Sequence, residues 1–101
     1  MRFLNSKLKI ENTILQNIAK KYGTPAYCYS YKQLRENIND FKKNFKSISP
    51  LICFAIKSNT NLNLIKEIKK FGLGADVVSM GELMLALKAG ISPKKIVFSG
   101  A

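Results

Sequence analysis

Apolar, strand-like runs begin at residues 26, 51, 74 and 96, and the steps of 25, 23 and 22 residues between them each hold one strand and one amphipathic helix. Strands separated in this way cannot pair as hairpins, because a helix lies between each strand and the next. The alternation therefore predicts parallel β/α units. Crossovers of this kind are right-handed, so the units either close into a barrel or stack as an open, doubly wound sheet. Spacing alone leaves both open. In either, functional side chains gather beyond the C-terminal ends of the strands.

Each predicted element has a local cause. Ile10, Ile14, Leu15, Ile18 and Tyr22 recur at helical spacing and predict a first helix, which Gly23-Thr24-Pro25 ends. Residues 26–29 form a short strand in which Tyr27 and Tyr29 alternate with Cys28 and are read as core packing. Ser30 with Gln33 makes a capping box for a helix whose stripe is Leu34, Ile38, Phe41 and Phe45. A strand over 51–56 follows. Asn59, Thr60 and Asn61 then supply turn and cap chemistry for a helix carrying Leu64, Ile65, Ile68 and Phe71, with Gly72 at its C-terminal cap. The strand over 74–78 leads through Ser79 and Glu82, a second capping box, into a helix that ends at Gly90. Residues 96–98 are the fourth strand.

A hydrophobic content of 47% belongs to a chain that folds rather than to a disordered tail. Seventeen Lys and Arg against six Asp and Glu give a formal charge of +11, which raises the question of a polyanionic partner. The lysines are dispersed along exposed helix faces and loops. Only Arg2 and Arg35 are arginines, and no interleaving of aromatic and basic residues marks a base-stacking platform, so no nucleic-acid partner is expected. No run approaches the roughly 20 apolar residues of a membrane span, and the first residues lack an apolar signal core. The expectation is a cytoplasmic protein with no membrane partner. Cys28 and Cys53 lie in apolar runs without metal-binding spacing, and the chain has no histidine. They read as reduced packing residues, and no metal site is expected.

Lys57 stands out chemically. A strongly hydrated ammonium is a costly way to finish the run Leu51, Ile52, Cys53, Phe54, Ala55, Ile56, unless the amine reacts. Asp76 lies nineteen residues further on, at the end of the next strand, which makes the two positions neighbours. Small residues at Ala55 and Gly74 leave room for a ligand there. No glycine-rich phosphate loop follows the first strand, where Tyr29-Ser30-Tyr31 stands, so nucleotide-binding readings lose support. A lysine amine facing a space with a carboxylate near it is the arrangement for Schiff-base chemistry with a carbonyl compound. Each residue also has a plainer reading: Lys57 as a strand-end lysine, Asp76 as one half of an ion pair with Lys57 or another cation, and Glu82 as a helix cap. Ser58 and Asn59 read as turn and capping residues.

Three blocks carry a family resemblance: Phe54-Ala55-Ile56-Lys57-Ser58-Asn59; Gly74-Ala75-Asp76-Val77-Val78-Ser79-Met80-Gly81-Glu82-Leu83; and Lys95-Ile96-Val97-Phe98-Ser99-Gly100. In order and spacing they resemble the start of the diaminopimelate decarboxylase family, over roughly residues 22–101. Tyr22-Gly23-Thr24-Pro25 followed by Tyr27 resembles the family's approach to its barrel. The resemblance implies a pyridoxal-phosphate enzyme of the alanine-racemase-like group, built on a parallel (β/α)8 barrel. Residues 1–25 would be a lead-in helix and linker, and 26–101 the first part of the barrel, about three units plus a strand.

The same resemblance implies Lys57 as the lysine that holds pyridoxal 5'-phosphate, with Asp76 and Glu82 matching acidic positions near it. It implies conversion of meso-2,6-diaminopimelate to L-lysine and carbon dioxide, and a homodimer when full length. Ornithine, arginine and carboxynorspermidine decarboxylases share the lysine block and the later acidic block, so substrate choice stays open among them. A reading from another class is a non-catalytic basic binding module in which Lys57 is only structural. A β/α barrel takes about 250 residues. The expectation is an N-terminal fragment that is inactive alone, with a molten or aggregating character where its sheet is left open.

Overall fold

The computed structural model describes residues 1–101. The chain divides into two compact units, Met1–Asn44 and Phe45–Ala101.

In the first unit, β1 (Arg2–Leu4), β2 (Lys7–Ile10) and β3 (Thr13–Ile14) form an antiparallel sheet in sequence order. Leu4 pairs with Lys7, which leaves Asn5 and Ser6 as a two-residue loop, both with positive φ (49° and 58°). That is the turn whose twist suits paired strands. Helical spacing predicts a helix from Ile10 onward. Instead α1 spans Leu15–Tyr22, and Ile10 and Ile14 lie on strands. Lys7-Leu8-Lys9-Ile10 alternates with period two, and an apolar pair four residues apart suits a helix and a hairpin alike. The ladder chose the hairpin. Helix α1 ends at Gly23, whose N–H donates to Ala19 O at 2.8 Å.

Residues 26–29, expected as the first strand, pair with no other strand. Tyr27 is 91% exposed and Tyr29 is also exposed, so neither packs in a core. A strand needs a hydrogen-bonded neighbour, and sequence propensity alone does not provide one. Helix α2 (Tyr31–Asn44) follows, with Ser30 Oγ accepting from Gln33 N at 3.0 Å as the capping box requires. The Gln33 side chain does not return the bond; its Nε2 donates to Asn37 Oδ1 at 2.9 Å. Glu11, at the β2–β3 turn with φ 53°, completes the cap by accepting from Ser30 Oγ at 2.7 Å and Lys32 N at 2.8 Å.

The second unit is parallel β/α structure. Strands β4 (Cys53–Ala55), β5 (Gly74–Val77) and β6 (Ile96–Phe98) lie side by side in that order. Cys53 pairs with Gly74, Ala55 with Asp76, and Asp76 with Val97. Helices α3 (Leu62–Lys70) and α4 (Met80–Lys88) are the crossover segments. The core consists of Ile56, Ile65, Ala75, Val77, Ala86, Ala89 and Ile91, with Phe54, Leu62, Leu83, Leu85 and Ile96 packed around it. Phe54, Ala75, Val77 and Ile96 are the strand residues in this set. By alternation, Cys53, Ala55, Gly74, Asp76 and Val97 face away from the helices.

The ends of these helices are set by their own sequence. Asn61 Oδ1 accepts from the N–H groups of Asn63 (3.0 Å) and Leu64 (3.3 Å) to open α3. Helix α4 closes in a Schellman motif: Gly90, with φ 89°, donates to Leu87 O at 2.9 Å, and Ile91 to Ala86 O at 3.1 Å. Gly74 is fixed by close approach, since a Cβ there would lie 2.1 Å from the backbone oxygen of Lys95. The small residue at 74 therefore serves the β5–β6 contact.

Candidate functional site

Strand β4 stops at Ala55, and Ile56–Ser58 turn into a single 3-10 turn. Ser58 Oγ donates to Ala55 O at 2.7 Å and Asn59 N to Ile56 O at 3.0 Å, which tightens that turn. Ile56 points into the core and is fully buried, so its neighbour Lys57 is turned outward and is exposed. The lysine is thus presented by a turn rather than by the strand end that the sequence suggests. Its Nζ makes no hydrogen bond, and no carboxylate oxygen lies within 4.0 Å of it.

Asp76 is half-buried and lies beside Ala55 in the sheet, on the face turned away from the helices. The ion pair considered for it is absent. Its Oδ1 accepts instead from Ser99 Oγ at 2.5 Å, while Oδ2 has no hydrogen-bond partner in the chain. Burial first, and the Asp76 charge second, push the Cys53 thiol above its ordinary range. Cys53 is therefore a poor nucleophile, in keeping with a packing role.

Glu82 lies in the first turn of α4. Its N–H donates to Ser79 Oγ at 3.2 Å, and its Oε2 accepts from Val78 N at 2.8 Å. This is a capping box shifted by one residue, because the carboxylate reaches the N–H before the cap rather than that of Ser79 itself. Both halves of the cap hold the β5–α4 junction.

Lys57, Asp76 and Glu82 thus all lie at the C-terminal ends of β4 and β5. The structure brings them to one edge of the sheet without joining them by hydrogen bonds or ion pairs. Ser99, which follows β6 and contacts Asp76, sits inside the third sequence block with no chemical signal of its own. Register is what points to it, since Asp76 pairs with Val97 and the end of β6 must pass the carboxylate. Cavities of about 310 and 240 Å³ lie in the first unit, lined by residues such as Arg2, Lys9 and Lys32 or Ile10, Ile18 and Cys28. Neither touches the three candidate residues. No helix is long and apolar enough to cross a membrane.

Comparison with known proteins gives this geometry a family. The chain is 42% identical over 100 residues to a diaminopimelate decarboxylase of Aquifex aeolicus, covering 99% of this chain and 23% of that one. It superposes on the crystal structure of diaminopimelate decarboxylase from M. jannaschii with a TM-score of 0.92 and 34% identity, covering 98% of this chain and 24% of that one. A second structure of the M. jannaschii protein, in complex with L-lysine, gives a TM-score of 0.90 at 35% identity, over 95% of this chain and 24% of that one. The chain therefore spans about a quarter of the length of the relatives it matches, and its fold is the N-terminal part of their β/α barrel. Residues 31–101 match the family described as pyridoxal-dependent decarboxylase, pyridoxal binding domain, and the chain belongs to that family.

Proposed function

We propose that the protein is a pyridoxal-phosphate-dependent decarboxylase that converts meso-2,6-diaminopimelate to L-lysine and carbon dioxide, with Lys57 as the residue that holds the cofactor. One observation carries the assignment of the lysine: Lys57 is exposed just past the C-terminal end of a parallel strand, and its Nζ has no ion pair. An amine that condenses with an aldehyde must be reachable and uncommitted. The residues present therefore fit the group. Bound pyridoxal phosphate supplies an electron sink for the pair left behind when carbon dioxide departs.

The chain's own residues divide the remaining work. Lys57 would hold the cofactor through Nζ, and as a free amine that nitrogen would be able to carry a proton at the sheet end. Asp76, with Oδ2 unpartnered, favours a cationic nitrogen near the sheet end. Glu82 commits Oε2 to Val78 N–H and so holds the turn after β5 in place, with Oε1 left for a polar neighbour. In this reading residues 1–25 are a lead-in and 26–101 begin the cofactor-binding barrel. The complete protein is a homodimer working in the cytoplasm on a small amino-acid substrate. The relatives' names support the choice of diaminopimelate, and the L-lysine bound to one solved relative fits the product.

The test is carbon dioxide release by the complete protein loaded with pyridoxal phosphate, supplied in turn with meso-diaminopimelate, ornithine, arginine and carboxynorspermidine. Release from meso-diaminopimelate with L-lysine as the product is expected. Release from one of the other three alone would overturn the choice of substrate.

A further inference from the structure

The end of β5 is gripped from two sides. On one side Glu82 Oε2 takes the N–H of Val78. On the other, Ser99 N donates to Val77 O at 2.9 Å, carrying the β5–β6 ladder one bond past the pairing of Val77 with Phe98. Gly100 belongs to the same grip, because a Cβ there would lie 2.5 Å from the oxygen of Val78. Ser99 is thus fixed by its backbone against the strand that carries Asp76. Its side chain then makes the one hydrogen bond that the Asp76 carboxylate accepts within the chain, at Oδ1.

An aspartate side chain has two torsions, and without a partner its oxygens exchange places. A hydroxyl donating to a carboxylate makes a charge-assisted bond, stronger than a neutral one. Because it engages Oδ1 only, it selects one orientation and leaves Oδ2 for another group. We propose that Ser99 is a positioning residue, whose hydroxyl sets the orientation of the Asp76 carboxylate at the sheet end where Lys57 presents its amine. The group that Oδ2 would meet is a cationic nitrogen, either the ammonium of the amino-acid substrate or the nitrogen that joins Lys57 to its cofactor. This inference rests on the reading of Lys57 as the cofactor lysine.

The experiment uses the complete protein with pyridoxal phosphate bound and meso-diaminopimelate as substrate. Ser99→Ala, Ser99→Thr, Asp76→Ala and the Asp76→Ala/Ser99→Ala pair are compared by single-turnover rate and by cofactor attached at residue 57. Ser99 is exposed, so removing its oxygen leaves the core packing intact. Ser99→Ala should slow the reaction by about tenfold, the effect of losing one hydrogen bond to a charged group, with cofactor attachment unchanged. Ser99→Thr keeps the hydroxyl and should retain about half of the rate or more. In the Asp76→Ala background the second substitution should change the rate by less than about twofold, because its partner is already gone. An equal loss from Ser99→Ala in both backgrounds, an undiminished rate in Ser99→Ala, or a threonine variant as slow as the alanine one would overturn the proposal. Absence of cofactor at Lys57 in the unsubstituted protein would instead overturn the reading on which it rests.

Discussion

Met1–Asn44 bury one apolar side chain, Ile38, whereas nine of the ten buried apolar residues, from Ile56 to Ile91, belong to Phe45–Ala101. The second unit lays the apolar stripes of two helices over one face of a parallel sheet, and a continuous core follows from that arrangement. The first has a three-stranded antiparallel sheet with short strands and little to cover it. It is organised by local geometry: the positive φ values at Asn5, Ser6 and Glu11, and the bonds from the Ser30 hydroxyl and Lys32 N–H to the Glu11 carboxylate. Apolar content alone does not make a core. Phe3, Tyr22 and Tyr27 are all exposed in the first unit, because no second layer covers them there.

The largest expected effect sets the two modes of organisation against each other. Ile65 is fully buried on α3, whereas Phe3 is 74% exposed on β1. Ile65→Ala should destabilise the complete protein by about 4 kcal/mol, through lost burial and the cavity left behind. Phe3→Ala, although it removes a larger side chain, should change stability by no more than about 0.5 kcal/mol. Urea unfolding of each variant measures both. A comparable loss from Phe3→Ala would mean that the first unit has a core after all.

A smaller effect isolates the carboxylate that ties the first unit. Glu11 is held below its ordinary range chiefly by the Lys32 N–H, then by the Ser30 hydroxyl, with the Lys32 and Arg35 charges adding to these. A carboxyl lowered in the folded state stabilises that state above its unfolded pKa and loses the contribution as pH falls through the folded value. Acidification through the region below pH 4.5 should therefore release the Lys32 amide to hydrogen exchange. Glu11→Gln should remove most of that pH dependence. No change in the Lys32 exchange rate on protonation of Glu11 would show that another contact holds the helix start.

The same contrast explains what can be read from sequence. Asn61, Ser79, Gly72 and Gly90 are legible as caps because each acts on backbone groups within a few residues of itself. Strands β5 and β6 are legible because apolar runs are bounded by such caps. The hairpin of β1 and β2 is not, because Ile10 and Ile14 satisfy two periodicities and strand pairing makes the choice between them. Residues 26–29 fail as a strand for the complementary reason, having propensity without a partner. Lys57 is visible through its chemistry, a charge at the end of an apolar run, but the turn that presents it is not. The bond between Ser99 and Asp76 spans 23 residues and depends on strand register, which local pattern does not carry.

The most direct test reduces the complete protein, carrying pyridoxal phosphate, with borohydride and maps the modified peptide by mass. The expected result is a reduced cofactor adduct at Lys57, lost in Lys57→Ala with the fold intact. An adduct at another lysine, or none at all on a folded protein loaded with cofactor, would contradict the assignment of Lys57.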